Sequence, residues 1–264
     1  MFQSVMNPVE RRNLGAHYTS ETNILKLIKP LFLDELWQEF ETLKGNKNKL
    51  PEFHKKLSTL KFLDPACGCG NFLVITYREL RLLELEILRA QKETISTVLN
   101  IEDIIWINPD QFYGIEYEEF PARIAEVAMW LIDHQMNMLI SNEFGQYIAR
   151  LPLKRGAKIV HGNALALDWK SMNQNRDIDI TANNTTVTVQ EPGMEYTTVN
   201  IKTNNLTIID KRSVGSDNIK VATTFDYILG NPPFIGSKIM NQTQRNEVTK
   251  EFGNIAGAGV LDYV

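Results

Sequence analysis

Cysteine is scarce in this sequence of 264 residues, which has only Cys67 and Cys69. A pair one residue apart cannot staple a fold, so a disulfide scaffold is excluded and a reducing cytoplasm is the natural inference. The sequence also lacks an apolar run of about 18 residues, the length that a membrane-spanning helix needs. Its start shows no basic stretch followed by an apolar core, so we expect neither a membrane segment nor a secretory signal.

Positive charge is also scarce, since 28 Lys and Arg residues stand against 32 Asp and Glu residues. The formal net charge of −4 is unusual for a compact nucleic-acid-binding module, which is commonly basic. If the chain handles DNA, its basic surface lies on one side or in a part of the protein outside these residues. The 4 histidines are scattered, so we expect no metal site.

Short apolar segments alternate with long helical patterns. Strands are predicted at 61–64, 111–116, 157–161 and 225–230. Helices are predicted at 21–43, at 72–90 with Asn71 as its cap, and from Pro121 onward, with a loop over the Lys- and Asn-rich residues 44–56. Strands separated by helices form βαβ units, so we predict an α/β fold with a mostly parallel sheet and flanking helices.

Four domains or segments are expected: 1–60, an N-terminal helical segment; 61–175, an α/β core; 176–221, an insertion; and 222–264, which carries the last strand. The insertion alternates Thr, Asn, Val and Ile between turn signals, a pattern typical of antiparallel β-structure. We interpret it as a surface elaboration, with contact to DNA or a partner as the alternative.

The loop after the first strand contains Gly68 and Gly70 and precedes a helix. Such glycines let the backbone approach a ligand at a helix N-terminus. A dinucleotide is disfavoured because Leu73 stands where that fingerprint has its third glycine. The next strand-end acid, Glu116, also comes much later than the expected spacing of about 20 residues.

Three polar side chains at strand ends fit three parts of one cofactor, because ligands of parallel sheets bind at the carboxyl ends of strands. Asp64 can accept from an ammonium or from loop amides, Glu116 from ribose hydroxyls, and Asn163 can meet an adenine edge. Together these groups describe S-adenosylmethionine. The structural alternatives are a turn cap for Asp64 and a strand terminator for Asn163. We interpret Cys67 and Cys69 as small loop residues.

The last predicted strand ends at Asn231-Pro232-Pro233-Phe234. Both prolines have a fixed φ and no N–H, so the loop is rigid. The Asn231 oxygen and a neighbouring carbonyl can accept from one exocyclic amine, and Phe234 can stack on the ring that carries it. This arrangement suits chemistry on the amino group of a nucleobase.

Taken together, these segments resemble the amino-methylating DNA methyltransferases of the γ order, in which cofactor motifs precede the catalytic motif. The residues that carry this resemblance are Phe62–Leu73 and Gly230–Phe234, with Gly15–Ser20 similar to the group's extra N-terminal cofactor motif. More narrowly, the chain is similar to MmeI-like enzymes, which are single-chain restriction–modification proteins. That likeness rests on Arg11–Ser20, Pro30–Leu36, Gly114–Ala125 and His161–Leu165.

The resemblance implies a Rossmann-like class I S-adenosylmethionine-dependent methyltransferase fold, with three further strands and a recognition domain after the catalytic loop. We therefore expect a sheet truncated after its fourth strand, with a β-rich insertion, in a fragment whose nuclease and target-recognition parts are missing. Such a sheet would expose an edge strand, so self-association of the fragment is expected.

The implied reaction transfers a methyl group from S-adenosylmethionine to N6 of adenine in double-stranded DNA, with the target base flipped out and no metal required. The expected catalytic residues are Asn231, Pro232, Pro233 and Phe234. The expected cofactor-binding residues are His17, Tyr18, Thr19, Asp64, Pro65, Ala66, Cys67, Gly68, Gly70, Asn71, Phe72, Glu116, Tyr117, Asn163 and Ala164.

Three alternatives stay open at this point. Cytosine N4 presents similar geometry, and so does a glutamine amide on a protein. The chain could also bind the cofactor only as a structural or regulatory ligand, with no activity of its own. The N-terminal motif at Gly15–Ser20 favours DNA as the substrate.

Overall fold

The computed structural model describes residues 19–91, 101–145, 156–169, 172, 224–232 and 240–253. Over these residues the chain forms one parallel sheet with the strand order β3-β2-β1-β4. The strands are β1 (Phe62–Asp64), β2 (Phe112–Glu116), β3 (Lys158–His161) and β4 (Tyr227–Ile228). The predicted α/β fold with a parallel sheet is therefore confirmed.

Six α-helices surround the sheet in the described part of the chain. They are α1 (Glu21–Ile28), α2 (Asp34–Leu43), α3 (Lys49–Thr59), α4 (Asn71–Ala90), α5 (Glu119–Phe144) and α6 (Gln242–Phe252). A π-helical segment, Lys29–Leu33, joins α1 to α2, so the long helix expected up to Leu43 is confirmed with one irregular turn. Short 3-10 helices lie at Ile101–Ile104 and Pro109–Gln111.

The π-helical turn coincides with Pro30, whose missing N–H cannot take part in regular helix hydrogen bonding. It brings Phe32 onto the sheet, where the Phe32 side chain is only 1% exposed. Its ring centroid lies 4.7 Å from that of Tyr227 and 5.4 Å from that of Phe62. The first helices are thus anchored on β1 and β4, the two strands nearest the predicted catalytic loop.

Helix α3 corrects the predicted loop over residues 44–56. Pro51 lies in its first turn, where a backbone N–H has no intrahelical partner to lose. Leu50, Phe53 and Leu57 recur at helical spacing and are all buried. The prediction was wrong because abundant Lys and Asn residues surround a narrow apolar stripe, and tertiary burial stabilises the helix.

Strand order determines where polar residues meet. β1 pairs with β2 on one side and with β4 on the other, although β4 comes last in the chain. This neighbouring of β1 and β4 is a topological switch point, the place where parallel sheets bind ligands. The carboxyl ends of β1, β2 and β4 bring Asp64, Glu116 and the segment Leu229–Asn231 to one edge of the sheet.

A buried polar network joins α4 to α5. The Arg81 side chain is 0% exposed, and its guanidinium donates to Asp133 Oδ1 at 3.0 Å and to Asn137 Oδ1 at 2.7 Å. Tyr77 donates to the same Asp133 oxygen at 2.6 Å. Arg81 Nε lies 3.0 Å from Glu84 Oε2, within ion-pair distance but outside hydrogen-bond geometry.

The network extends through Glu84 to α3. Glu84 Oε1 lies 2.8 Å from His54 Nε2 and accepts from the backbone N–H groups of Trp106 and Ile107 at 2.7 and 2.9 Å. Burial alone would raise the pKa of Glu84, but the hydrogen bond to His54 and the charge of Arg81 outweigh it and hold this pKa below its usual range. These charged groups therefore hold three helices together in the interior.

The chain divides into two compact units, one formed by Met1–Leu167 with Thr224–Val264 and the other by Asp168–Thr223. The expected β insertion at 176–221 lies outside the described residues. In the described sheet, β4 ends the strand order and Ile228 is 54% exposed, while self-association stays a prediction. Among the helices that the structure describes, none is long and apolar enough to cross a membrane.

Candidate active site

Asp64 is the most buried polar residue at the carboxyl edge of the sheet. It ends β1, is 1% exposed, and its Oδ1 accepts from the Ala66 N–H at 3.0 Å. Burial raises the pKa of Asp64 to about 7; the Ala66 hydrogen bond opposes this rise and the charge of Glu116 adds to it. A cation placed beside Asp64 would favour its ionised form, so the site suits an ammonium group.

The glycine loop after Asp64 uses the left-handed backbone region twice, with φ +55° at Gly68 and +83° at Gly70. A Cβ on Gly68 would meet nothing within 4 Å, whereas one on Gly70 would lie 3.1 Å from Ala125 Cβ on α5. Gly68 therefore faces open space, and Gly70 allows α5 to pack closely. The predicted cap on α4 is corrected, because Gly70 is the N-cap and Asn71 the first helical residue.

Glu116 connects the glycine loop to β2. Its Oε2 accepts from the Gly68 N–H at 2.8 Å, and its Oε1 accepts from the Glu118 N–H at 3.0 Å. A carboxylate offers about four lone-pair sites, so these two bonds leave it able to accept from further donors such as hydroxyls. Asp64, Gly68 and Glu116 thus lie together at the end of neighbouring strands, as predicted.

Cys67 has a packing role at this point. Its side chain is 6% exposed, and its Sγ would lie 2.8 Å from a Cβ added to Gly114 in β2. Burial raises the pKa of the Cys67 thiol well above its usual range, with the charges of Asp64 and Glu116 adding to the shift. A thiol of this kind is inert, which supports the interpretation of Cys67 as a small loop residue.

Asn163 lies after β3, and protein groups contact both ends of its amide. Its Oδ1 accepts from the Leu165 N–H at 3.0 Å, and its Nδ2 donates to Glu247 Oε1 on α6 at 2.9 Å. The first contact is an Asx-type turn, so Asn163 has at least the structural role that was its alternative. Its contact with an adenine edge stays a prediction.

The predicted catalytic segment is held on the sheet beside Asp64. The Leu229 N–H donates to the Leu63 carbonyl at 2.9 Å, and a Cβ on Gly230 would lie 2.5 Å from Asp64 Oδ1. Asn231 follows as an exposed side chain. Its Nδ2 donates to Thr19 Oγ1 at 3.1 Å, across 212 residues of sequence.

The remaining predicted site residues divide by position. Tyr117 is 69% exposed directly after Glu116, whereas Phe72 is 4% exposed and its side chain packs in the hydrophobic core. Pro65, Ala66, Asn71, Ala164 and Pro232 lie in or beside the loops described above. The described ranges contain no group of three His, Cys, Asp or Glu residues that could hold a metal. Four predicted residues lie outside the described residues: His17, Tyr18, Pro233 and Phe234.

Sequence reasoning missed two residues of this site. Gly230 contacts the Asp64 carboxylate, and its signal was a glycine between a strand and Asn231. Glu247 reaches Asn163 from α6, for which the sequence offered no signal.

We expect Gly230→Ala to lower the free energy of unfolding by about 1–3 kcal/mol, because the new methyl group would displace a buried carboxylate. Urea denaturation measures this change. Gly45→Ala is the matched control, since a Cβ there meets nothing within 4 Å and the expected change is within about 0.5 kcal/mol. Equal midpoints for the two variants would contradict the close contact.

Comparisons with known proteins identify the family and the fold. Residues 40–264 match the family described as MmeI, DNA-methyltransferase domain. The chain is similar to DNA methyltransferase A of Bacillus subtilis (strain 168), with 33% identity over 265 aligned residues that cover 100% of this chain and 25% of that protein. It is also similar to the solved structure of the type IIL restriction–modification enzyme MmeI in complex with DNA. That match has a TM-score of 0.75 and 51% identity, and covers 99% of this chain and 29% of that one.

The chain thus spans between a quarter and a third of the length of these relatives. The resemblance to MmeI-like enzymes and the Rossmann-like methyltransferase fold are confirmed by the family match and by the MmeI structure. On this evidence the chain belongs to the MmeI DNA-methyltransferase domain family.

Proposed function

We propose that this chain is the catalytic part of a DNA methyltransferase that uses S-adenosylmethionine to methylate N6 of adenine, within a restriction–modification enzyme. The observation that supports this most is the position of Asn231. It comes shortly after β4, its neighbour Gly230 contacts Asp64, and its side chain contacts Thr19. Thr19 and Asp64 are both residues for which we predict a role in cofactor binding, so their nearness to this segment supports a catalytic role for Asn231.

The residues at the edge of the sheet fit the proposed cofactor. Asp64 is a buried carboxylate whose raised pKa would fall again beside an ammonium, and a Cβ on Gly68, in the loop that follows, would meet nothing within 4 Å. Glu116 offers acceptors for ribose hydroxyls, and the exposed ring of Tyr117 follows it. When bound, S-adenosylmethionine supplies a methyl group activated by a sulfonium sulfur.

The chain's own residues would then hold the target amine. Asn231 Oδ1 and the Pro232 carbonyl accept its two N–H bonds, which directs the nitrogen lone pair towards the methyl group. Phe234 stacks on the flipped base. As the nitrogen–carbon bond forms, the bond between the methyl carbon and the sulfonium sulfur breaks and leaves a neutral thioether. The positive charge thereby passes to the nitrogen, whose extra proton then leaves to water. No strong base is needed before attack, because alignment lowers the barrier.

Product analysis tests this proposal. The complete polypeptide that carries these residues is incubated with S-adenosylmethionine and PCR-amplified genomic DNA, which holds every sequence context in unmethylated form. The DNA is then digested to nucleosides for mass spectrometry. N6-methyladenine is expected. Detection of N4-methylcytosine alone would show that the target base is cytosine and not adenine. The absence of any methylated base would refute the proposal.

The pKa of Asp64 predicts how cofactor affinity depends on pH. In the protein without ligand Asp64 is protonated below about pH 7, whereas an ammonium beside it favours the ionised form. Binding therefore releases a proton below pH 7, so affinity rises with pH through about 7 and falls again only where the ligand's own ammonium loses its proton. Binding at pH 6 should be roughly fivefold weaker than at the maximum.

Calorimetry of S-adenosylmethionine binding between pH 5.5 and 7.5 measures this dependence, and buffers of different ionisation enthalpy reveal the released proton. Asp64→Asn is the matched control, because it keeps the shape of the side chain and removes its titration. A pH profile that is the same in Asp64→Asn and in the unaltered protein would show that Asp64 does not face the ammonium.

A further inference from the structure

The contact between Asn231 and Thr19 has a direction that matters for chemistry. Asn231 Nδ2 is the donor and Thr19 Oγ1 the acceptor, at 3.1 Å. A primary amide carries its acceptor oxygen on one end and two N–H donors on the other. When Thr19 receives the N–H end, the oxygen end is left for another donor, such as an exocyclic amine.

The two orientations of an asparagine amide have nearly the same shape, so packing does not select between them. Hydrogen-bond partners make that choice. With the oxygen turned towards a target amine, a bond can form. With the NH₂ end turned towards it, two donors face each other. The Thr19 hydroxyl can accept from the NH₂ end or donate to the oxygen end, so the target amine decides the orientation. Once that amine donates to the oxygen, Thr19 is the acceptor that keeps the NH₂ end hydrogen-bonded and the side chain in place.

Thr19 directly precedes the anchored start of α1. The carbonyl of the next residue, Ser20, accepts from the N–H groups of Asn23 and Ile24, each at 3.0 Å, and begins α1. Ile24 and Ile28 are both 0% exposed, so α1 is anchored in the core. The Ser20 side chain makes no capping hydrogen bond, and the neighbouring Thr19 hydroxyl reaches Asn231 instead.

The backbone of the catalytic segment is anchored separately. The Leu229 N–H bonds to the Leu63 carbonyl, and Gly230 packs against the Asp64 carboxylate. Both backbones at the contact thus adjoin residues that the core holds, whereas the Asn231 side chain is exposed. In the part of the chain that the structure describes, the Asn231 side chain hydrogen-bonds to Thr19, and this contact restricts the rotation of its amide.

We infer that Thr19 is a positioning residue that receives the NH₂ end of the Asn231 amide and thereby directs Asn231 Oδ1 at the target amine. The inference rests on the proposed function, in which Asn231 accepts from that amine. It differs from the cofactor-binding role expected for Thr19 from sequence, because a positioning residue acts on catalysis rather than on cofactor affinity.

The first test replaces Thr19 by valine, which has the same shape but cannot accept a hydrogen bond. Methyl transfer to PCR-amplified genomic DNA is measured in the complete polypeptide, and cofactor binding by calorimetry. The kcat should fall about five- to tenfold, the effect of one lost hydrogen bond, with cofactor affinity and KM for DNA within about twofold. Thr19→Ser keeps the hydroxyl and should keep kcat within about twofold of the unaltered protein.

The second test asks which quantity each substitution changes. A loss of cofactor affinity in Thr19→Val with kcat unchanged would overturn the positioning role. A loss of kcat in Thr19→Ser equal to that in Thr19→Val would also overturn it, because serine keeps the hydroxyl.

The failure of the inference can be told apart from the failure of the proposed function. If Asn231→Ala abolishes methyl transfer while Thr19→Val behaves like the unaltered protein, only the positioning role is refuted. If Asn231→Ala retains methyl transfer, the proposed function itself is refuted, and the role of Thr19 with it.

Discussion

Asn231→Ala is expected to reduce methyl transfer at least about a hundredfold, the scale seen when one preorganised hydrogen-bonding group is removed from an active site. The proposed reaction needs an acceptor at Asn231 Oδ1 to direct the lone pair of the target amine. The Pro232 carbonyl alone would leave one of the two N–H bonds without a fixed partner. Rate loss should therefore appear in kcat, with little change in substrate affinity.

The fold should tolerate this substitution. Asn231 is exposed, and the sheet holds its backbone through Leu229 and Gly230 rather than through the side chain. Surface substitutions of this kind usually change stability by less than about 0.5 kcal/mol, so the cofactor site should stay folded. Affinity for S-adenosylmethionine should therefore stay within about twofold. Unchanged cofactor binding would then separate a loss of chemistry from a loss of structure.

Radiolabelled methyl transfer and calorimetry on the same preparations measure the two quantities. Asn23→Ala is a strict control, because Asn23 is an exposed asparagine in the first turn of α1, four residues from Thr19. It should transfer methyl groups like the unaltered protein. Retained transfer in Asn231→Ala, or a parallel loss in Asn23→Ala, would remove Asn231 from the proposed mechanism.

The grouping of site residues at one edge of the sheet could be predicted, because all strands of a parallel sheet end on the same side. Asp64 and Glu116 each end an apolar segment, and Asn231 follows the last one, so a parallel sheet brings all three to one side whatever its details. The contact between Thr19 and Asn231 could not be predicted from that rule. It depends on how the residue before α1 meets the segment after β4, which no spacing along the sequence encodes.

Two local errors have a common cause. The sequence patterns that predicted a loop at residues 44–56 and a cap at Asn71 describe average preferences of residue types. The structure instead buries the stripe of α3, and the N-cap of α4 is Gly70, which has a left-handed backbone and lies close to α5. In both cases tertiary contacts override a local preference.

The buried network was also invisible to pattern reading, because Arg81 and Glu84 look like surface residues of an amphipathic helix. Both side chains are 0% exposed. Charges survive in an interior only when partners surround them, so the network must form as a unit. Its effect on stability should therefore depend strongly on which member is removed.

We expect Arg81→Met to lower the free energy of unfolding of the α4–α5 pair by about 3–5 kcal/mol, because it leaves the buried carboxylates of Asp133 and Glu84 without their cation. Hydrogen–deuterium exchange of peptides from α4 and α5 measures this local opening. Arg89→Met is the matched control on the same helix. Arg89 is 42% exposed in its ion pairs with Glu86 and Glu143, so the expected cost is at most about 1 kcal/mol.

A third variant separates charge from packing. Combining Arg81→Met with Glu84→Gln and Asp133→Asn removes the cation and both carboxylates together, so no uncompensated charge remains in the interior. Part of the stability lost in Arg81→Met should therefore return, although two further residues are changed. If the triple variant opened more readily than Arg81→Met, the loss would come from packing around the guanidinium. If it opened less readily, the cost lies in the unpaired carboxylates, and the network holds α3, α4 and α5 together through charge balance.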